Sequence, residues 1–313
     1  MSNDRAPASG ILFVAAAVIW GSTWLAIKYQ LGAVAPDASV AYRFALAAVL
    51  LGAWCALTGR SLRFDARAHT FIGLQGGLLF GLNYVGVYWA EHYATSGLVA
   101  VLFSTIVFMN PIGARIVFGA PLAARTLFAA ALGVLGVALL FLPELERVRD
   151  GGGAALGIVF GLGATVIASA GNLAAVRNQR AGIPVLPGTA WSMLYGAVVA
   201  ALAATLHGVH WTFDTGRAYL LSLAYLSVFG SVVAFCAYLT LMKHVGPSRA
   251  AYVGVAVPVV ALALSTLFEG YRWTWTAALG VVLAVIANWT ALRPGGTRRA
   301  GVPGGGLSPR RLS

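Results

Sequence analysis

Residues 131–134 read Ala-Leu-Gly-Val, and the same four residues return at 278–281, 147 positions later. Pro111 and Pro258 keep the same interval. These repeats divide ten apolar stretches of the chain into two sets of five. Because five is odd, a chain that crosses a membrane five times and then repeats itself must insert its second half upside down. Inverted repeats of this kind surround a central cavity in many secondary transporters.

The composition indicates an integral membrane protein. Hydrophobic residues make up 59% of the 313 residues and charged residues 10%, with a mean hydropathy of +0.83. Soluble domains contain about 25% charged residues, and soluble monomers rarely expose large apolar patches. A soluble fold of this length could not hide so much apolar surface, so we expect lipid to cover it.

The ten apolar stretches are typical of membrane helices. A spanning helix needs about 20 mainly apolar residues, and in lipid it satisfies its own backbone hydrogen bonds. No stretch shows the alternating pattern of an outer-membrane strand. We therefore predict an all-α membrane protein with ten transmembrane helices in two inverted five-helix repeats. The predicted spans are Ile11–Tyr29, Ala38–Leu57, Phe71–Trp89, Ser96–Phe118, Leu127–Leu142, Ala154–Val176, Gly188–Leu206, Tyr219–Met242, Ala250–Phe268 and Thr274–Leu292.

The positive charges predict that both termini are cytoplasmic. In that orientation fifteen of the 21 lysines and arginines lie on the cytoplasmic side, which agrees with the positive-inside rule. The predicted organisation is a first repeat over 1–142, an exposed external linker over 143–153 and a second repeat over 154–292. Residues 293–313 are rich in Gly, Pro and Arg without apolar periodicity, so they predict a disordered cytoplasmic tail.

The remaining charges, cysteines and histidines argue against other functions. The net charge of +12 is spread between spans and in the tail, so we expect no nucleic acid partner. Cys55 and Cys236 lie in separate spans and form no metal motif or disulfide framework. His207 and His210 stand in an external loop near only Asp214, so we expect no metal site and no cofactor. No nucleophile elbow or clustered carboxylate pair indicates an enzyme.

Every acidic residue sits at or beyond a span end, among them Asp37, Glu91 and Glu269. Carriers coupled to protons or sodium commonly place a carboxylate inside the membrane despite its cost. The sequence pattern therefore argues against carboxylate coupling and favours a neutral or zwitterionic substrate. Arg43 stands about one turn inside the second span, where it can hold a substrate carboxylate or anchor the helix at the interface.

Polar and small residues inside the spans suggest both a pocket and tight packing. An unpaired amide in hydrocarbon costs several kcal/mol. Asn83 and Asn172 must therefore bond a neighbouring helix or face a wet cavity, and both interpretations stay open. Gly73, Gly77 and Gly81 recur every four residues, which predicts one small helix face that lets a neighbouring backbone approach closely.

Residues 20–24 and 42–44 carry a family resemblance. The first read Trp-Gly-Ser-Thr-Trp near the end of the first span, and the second read Tyr-Arg-Phe at the start of the next. Together with the small residues that lead to Pro258 and then Glu269, they resemble the EamA-type members of the drug/metabolite transporter superfamily. The resemblance covers about residues 10–292. Ile106 stands where the first half of such proteins often has proline, so the two repeats differ near spans four and nine.

The resemblance implies export of small metabolites, often amino acids, by alternating access along a path between the halves. We therefore predict a secondary transporter of the bacterial inner membrane. Its partners are a small-molecule substrate and the lipid bilayer, and it acts as a monomer or a homodimer. A passive channel and an intramembrane lipid-handling protein or enzyme remain alternatives. The matched prolines Pro111 and Pro258 are hinge candidates. The substrate-binding candidates are Trp20, Ser22, Arg43, Asn83, Tyr84, Ser104, Asn172, Tyr225 and Tyr252.

Overall fold

The computed structural model describes residues 5–32, 34–122, 124–148, 153–245 and 253–292, and every regular element within those ranges is a helix. The first half contains α1 (Arg5–Lys28), α2 (Pro36–Leu57), α3 (Ala66–Gly76), the π-helical segment π1 (Gly77–Leu82), α4 (Asn83–Tyr93), α5 (Ser96–Phe103), α6 (Ile106–Phe118) and α7 (Ala124–Val148). The second half contains α8 (Ala154–Arg180), α9 (Val185–Leu206), α10 (Arg217–Tyr225), the π-helical segment π2 (Leu226–Val233), α11 (Ala234–Val245), α12 (Val253–Phe268) and α13 (Trp275–Leu292).

The all-helical prediction is confirmed for the described residues, and within them each predicted span is mainly helical. Seven helices in these ranges are long and apolar enough to cross a membrane. They are Ser9–Lys28, Pro36–Leu57, Ala66–Tyr93, Ser96–Phe118, Ala155–Arg180, Val185–Leu206 and Arg217–Tyr238. Ala124–Leu140, Val253–Phe268 and Trp275–Thr290 are shorter apolar helices. The number of ten crossings and the inverted arrangement stay predictions.

Local sequence signals set several helix ends. Pro36 occupies the start of α2, where its missing N–H needs no partner within the helix. The Asp65 carboxylate caps α3 by accepting a 2.6 Å hydrogen bond from the Ala68 N–H. Gly119 ends α6 with a φ of 65°, a left-handed conformation that glycine adopts without steric cost. These signals separate the apolar helices from the polar connections between them.

Two spans contain a π-helical segment instead of a continuous α-helix. π1 joins α3 to α4 within the third predicted span, and π2 joins α10 to α11 within the eighth. A π turn adds a residue to the helical turn and so changes which side chains share a face. Such turns occur frequently at functional sites. Each segment lies in the third span of its own half.

The helices pack in pairs that connect the two halves. α2 packs along α9, and α7 packs along α13. α1 contacts α11 and α12, whereas α8 contacts α4 and α6. The two halves of the sequence are therefore intertwined rather than separate bodies.

Glycines allow the closest of these contacts. A Cβ at Gly76 would lie 2.2 Å from the Ser192 carbonyl oxygen of α9, and a Cβ at Gly280 would lie 2.5 Å from the Gly136 carbonyl oxygen of α7. The predicted glycine face of the third span does contact α9: a Cβ at Gly81 would lie 2.9 Å from Val199. The closest approach, however, is at Gly76, which the sequence pattern did not single out.

The outer surface of the bundle is apolar. Leu57 is 86% exposed and Trp275 is 91% exposed, and many other leucines and valines on the outer helix faces are exposed as well. Exposed apolar surface of this extent is typical of a protein surrounded by lipid. Within the predicted linker, α7 continues to Val148, whereas residues 149–152 lie outside the described residues. The predicted tail over 293–313 also lies outside them.

Candidate functional site

One ammonium group ties the end of α1 to α4 and to the second half. Lys28 Nζ donates hydrogen bonds to the backbone carbonyl oxygens of Glu91 and of Ala94, the latter at 2.6 Å. The same nitrogen lies 3.8 Å from Glu269 Oε1. Glu91 and Ala94 are at the C-terminal end of α4, where carbonyl groups lack partners within the helix. The lysine therefore satisfies the end of α4 and joins the two halves at this end of the molecule, which we call the Lys28 end.

Glu269 follows α12 and caps α5 of the other half. Both of its carboxylate oxygens lie 3.2 Å from the Ser96 backbone nitrogen, and Oε2 also accepts a hydrogen bond from the Ser96 hydroxyl. Ser96 is the first residue of α5, so the carboxylate lies at the positive end of the helix dipole. A single carboxylate thus contacts both α1 and α5 across the two halves.

The Glu91 side chain lies inside the Lys28 end. It is 0% exposed, and neither carboxylate oxygen has a hydrogen-bond partner within the described ranges. Its position at the end of a span suggested contact with water, but the neighbouring helices cover it. A buried polar group without a partner is costly, so this carboxyl group calls for a functional explanation.

Arg43 is buried among aromatic rings. It is 1% exposed, its Nη1 donates to the Tyr88 hydroxyl at 3.5 Å, and its Cζ lies 4.7 Å from the ring centroid of Tyr84 and 5.1 Å from that of Phe44. The Tyr88 hydroxyl donates in turn to Gln30 Oε1 at 2.6 Å. An interface anchor reaches water, and Arg43 does not. Its surroundings therefore favour a role inside the bundle.

A second buried carboxylate at the Lys28 end is fully partnered. Asp37 is 0% exposed; Trp89 Nε1 donates to its Oδ2 at 3.0 Å, and His207 Nδ1 lies 3.1 Å from its Oδ1. Ser39 and Tyr219 share a hydrogen bond of 3.1 Å between their hydroxyls nearby in α2 and α10. These contacts fasten α2 to α4, α9 and α10, so the Lys28 end is held by polar contacts from both halves.

A cavity of about 40 Å³ lies one helical turn below the Lys28 contacts. Two of the substrate-binding candidates, Asn83 and Tyr84, line it. Trp24 and Val87 also line it, and they stand one turn before Lys28 and Glu91 respectively. The full lining comprises Thr23, Trp24, Ile27, Asn83, Tyr84, Val87 and Phe103.

Asn83 keeps an unused acceptor beside this cavity. Its Nδ2 donates to the Leu79 carbonyl oxygen at 3.0 Å, whereas its Oδ1 is buried without a partner in the described part of the chain. Leu79 belongs to π1, so the π-helical segment fixes the asparagine from below. The free amide oxygen is available to accept a hydrogen bond from a bound molecule.

The predicted residues of α1 meet the second half at π2. Trp20 Nε1 donates to the Gly230 carbonyl oxygen at 3.1 Å. The Ser22 and Tyr225 hydroxyls share a hydrogen bond of 2.6 Å. A Cβ at Gly230 would lie 2.7 Å from Thr23 Cγ2, so the glycine allows α1 to approach π2. The structure therefore brings Trp20, Ser22 and Tyr225 together at one contact between the halves.

The remaining predicted polar residues lie apart from the cavity lining. Ser104 Oγ donates to the Val101 carbonyl oxygen of its own span at 2.6 Å. Asn172 Nδ2 donates to Asn110 Oδ1 at 3.4 Å, a long contact between α8 and α6. Of the two interpretations of Asn172, this contact is the bond to a neighbouring helix. Tyr252 lies outside the described residues.

The hinge candidates lie inside helices. Pro111 is within α6, and Pro258 is buried within α12. The interruption of the fourth span falls earlier, at Ser104–Thr105 between α5 and α6. Phe103, which lines the cavity, directly precedes this interruption. The sequence analysis placed the flexible point of this span at the proline and did not predict the break beside the cavity.

Sequence reasoning missed the contacts of Lys28 with the Glu91 backbone and with the Glu269 carboxylate, and the burial of the Glu91 side chain beside them. All three stand at span ends, where charged residues ordinarily face water, and no spacing rule connects positions so far apart. No group of three or more His, Cys, Asp or Glu side chains suited to a metal ion occurs among the residues the structure describes. The arrangement therefore offers charge pairs, hydrogen-bonding groups and a small cavity.

A bundle of apolar helices with an apolar outer surface defines a multispanning membrane protein. The chain belongs to the EamA-like transporter family, which matches residues 8–142 and 155–292. The family resemblance seen in the sequence is confirmed, and the protein is a membrane transporter. This membership points away from an enzyme.

Relatives and a solved structure agree with this assignment. The chain is 30% identical over 286 residues to the uncharacterized inner membrane transporter YedA of Escherichia coli (strain K12), covering 90% of each chain. It is 20% identical over 295 residues to protein PagO of Salmonella typhimurium, covering 90% of this chain and 92% of PagO. A solved crystal structure with 19% identity has the same fold, with a TM-score of 0.63 over 90% of this chain and 96% of the other.

Proposed function

We propose that this protein is a secondary transporter that exports small neutral or zwitterionic metabolites, such as amino acids, by alternating access. The observation that carries the proposal is the Lys28–Glu269 contact, which closes one end of the bundle above a small cavity. The cavity of about 40 Å³ is smaller than an amino acid, so it must widen before a substrate binds. An alternating-access carrier needs a site inside the membrane that is shut on one side in each of its two main states. A cavity beneath a closed end fits one of those states.

The helix pairing supports two inverted five-helix repeats. If the halves are exchanged, the first span corresponds to the sixth, the third to the eighth and the fourth to the ninth. The contacts of α1 with α11 and α12 then become the contacts of α8 with α4 and α6. The pairs α2–α9 and α7–α13 each map onto themselves. The matched positions of π1 and π2 add a second, independent sign of repetition.

We further infer that both termini are cytoplasmic and that the Lys28 end faces the periplasm. The excess of lysines and arginines in the segments assigned to the cytoplasm supports this orientation. The tail and the loops that carry Arg60, Arg63 and Arg67 are then inside. A reporter that is active only in the periplasm, fused to the C-terminus, should stay silent; a strong signal would overturn the orientation.

The roles of the candidate residues follow from their positions. Asn83 offers its free amide oxygen to a substrate N–H group, and Tyr84 walls the cavity with its ring over Arg43. Trp20, Ser22 and Tyr225 lie along the path where α1 meets π2. We assign the interruption at Ser104, together with Pro111 and Pro258, to the bending of spans four and nine. Asn172 contacts Asn110 between α8 and α6 and is assigned to the same path.

Flux measurements with purified protein in liposomes test this function. We expect saturable uptake of at least one compound from a panel of radiolabelled amino acids and related amphiphiles. Asn83→Ala should lower that flux several-fold without lowering the amount of reconstituted protein. Asn288→Ala is the matched control, because Asn288 is equally buried but lies in α13, outside the cavity lining. No flux of any compound would count against the proposal, and flux that does not saturate would indicate a passive channel instead.

A further inference from the structure

Glu91 extends the cavity-lining face of α4 toward the Lys28 end. Tyr84, Val87 and Glu91 follow one another at intervals of three and four residues, which places them on one side of the helix. Tyr84 and Val87 line the cavity, so the carboxyl group stands one turn above it. A group that binds to or leaves Glu91 is therefore adjacent to the space proposed for the substrate.

The Glu91 carboxyl group receives no hydrogen bond from the residues that the structure describes. Both oxygens are buried without partners in the described part of the chain. The nearby cations donate no hydrogen bond to it: Lys28 donates to the backbone carbonyl oxygens of Glu91 and Ala94, and Arg43 Nη1 donates to Tyr88. Arg43 Nε is itself buried without a partner among the described residues. An ionised carboxylate in this position would lack both water and donors. A neutral carboxylic acid fits the closed end better, because it carries no net charge.

The charged groups that act on Glu91 come from three elements: Lys28 of α1, Arg43 of α2 and Glu269 after α12. α5 contains no ionisable residue, and those of α8 begin only at Arg177, far from this end. Asp37, the other buried acid, is occupied by Trp89 and His207. Two cations close to the carboxyl group would repel a bound metal ion, whereas a proton removes the negative charge without adding a new neighbour.

We propose that Glu91 is a proton-binding site and that closing the Lys28 end requires it to take up a proton. This inference rests on the proposed alternating-access function. In the closed end the proton leaves Glu91 on the cavity side to cytoplasmic water, and the ionised carboxylate then lacks both water and donors, which favours opening. When the end opens, Lys28 leaves Glu269, and the ionised Glu91 carboxylate meets water and pairs with the Lys28 ammonium. One proton from periplasmic water then binds a carboxylate oxygen, the lysine returns to Glu269 and the end closes, so one proton enters for each substrate exported.

This proposal reverses the expectation drawn from the positions of the acidic residues. The sequence argued against carboxylate coupling because no acid stands in the middle of a span. Glu91 stands at the end of a span, yet the packing of α1, α2 and the segment after α12 encloses it. Proton coupling needs a carboxyl group that is buried in one state and in contact with water in the other. Burial by neighbouring helices can provide this at the end of a span as well as at its centre.

Distance measurements between spin labels test the proton site without any substrate. Labels at Tyr29 and Arg272 flank Lys28 and Glu269 on the two halves, and both positions are exposed. Cys55 and Cys236 are replaced by alanine, and the full chain is reconstituted in liposomes. If closure takes up one proton, raising the pH should favour the open form. The ratio of short to long distances should then fall by up to about tenfold per pH unit, at pH values above those at which Glu91 titrates in the open form.

Substitutions then identify the group. Glu91→Gln should give the short distance at every pH, because the amide cannot ionise. Asp37→Asn, the matched change at the partnered buried acid, should keep the response of the parent protein. Should Glu91→Gln not reconstitute, Glu91→Asp should keep a pH response displaced along the pH axis. A parent protein without pH response, or a Glu91→Gln variant that retains it, would overturn the proposal.

Flux under an imposed pH gradient separates this inference from the proposed function. We expect an acidic exterior to raise export of the transported amino acid in the parent protein. Glu91→Gln, whose Lys28 end stays mainly closed, should transport more slowly and at a rate that does not respond to the pH gradient. If the distances respond to pH but no compound of the panel moves, the proton site stands and the proposed function fails. If compounds move but neither flux nor distances respond to pH, the function stands and the proton site fails.

Discussion

Removing the Lys28 ammonium should lower the ratio of closed to open forms of the Lys28 end by about thirtyfold. Lys28→Met keeps the apolar stem of the side chain and removes two hydrogen bonds to carbonyl oxygens and the ion pair with Glu269. A hydrogen bond to a charged group contributes about 1.5–3 kcal/mol when it is well buried. The Lys28 and Glu269 side chains are 26% and 11% exposed, so water replaces part of the lost interaction. We expect a net loss of about 2 kcal/mol, or roughly thirtyfold in the ratio of closed to open forms.

The spin labels at Tyr29 and Arg272 measure this ratio directly. In Lys28→Met the long-distance population should grow at the expense of the short one at constant pH. Lys243→Met, which removes the only other lysine of the chain, is the control for the loss of one positive charge. If Lys28→Met keeps the same closed fraction as Lys243→Met, the contacts of Lys28 do not hold this end shut and the reasoning is wrong.

Two further predictions concern contacts between the halves. Ser22→Ala and Tyr225→Phe each remove the 2.6 Å hydrogen bond between them, and Ser22→Ala also removes the contacts of its hydroxyl with the Val18 and Ile19 carbonyl oxygens. A double-mutant cycle of thermal stability in detergent subtracts those contacts and should show coupling of about 1 kcal/mol; additive effects would contradict the contact. Gly280→Val should abolish the monodisperse folded protein in size-exclusion chromatography, because its Cβ would lie 2.5 Å from the Gly136 carbonyl oxygen. Gly52→Val, where the Cβ meets no atom within 4 Å, should remain folded, and equal damage at both positions would refute the packing argument.

The helices could be predicted from the sequence because lipid leaves the backbone few options. Apolar stretches of spanning length must satisfy their hydrogen bonds internally, so composition alone indicated where the helices lie. The same logic led to Asn83, since an amide in apolar surroundings needs a partner or a cavity, and the structure gives it both. Its Nδ2 bonds Leu79, its Oδ1 is buried without a partner in the described ranges, and the residue lines the cavity.

The contacts at the Lys28 end could not be predicted in this way. Lys28 and Glu269 come from opposite ends of the chain, and charged residues at span ends ordinarily contact water or lipid headgroups. Whether such a residue is buried depends on which neighbouring helices cover it, and that is a property of tertiary packing. Arg43 shows the same limit, because its place one turn inside α2 was compatible with either an anchor or a buried group. The π-helical segments leave no pattern in composition, because their residues have the same apolar character as α-helical ones.

The Lys28 end and the cavity are built on the same two helices, α1 and α4, so in the proposed transporter substrate binding and closure would act on the same elements. Trp24 walls the cavity one turn before Lys28, and Val87 walls it one turn before Glu91. A movement that separates Lys28 from Glu269 must shift the end of α1, and with it the cavity wall. A substrate that pushes α1 and α4 apart must equally weaken the contacts above it. Packed helices favour discrete arrangements over gradual deformation. Because α1 and α4 belong to both the cavity wall and the Lys28 end, binding and closure can be coupled through these two helices without a further element.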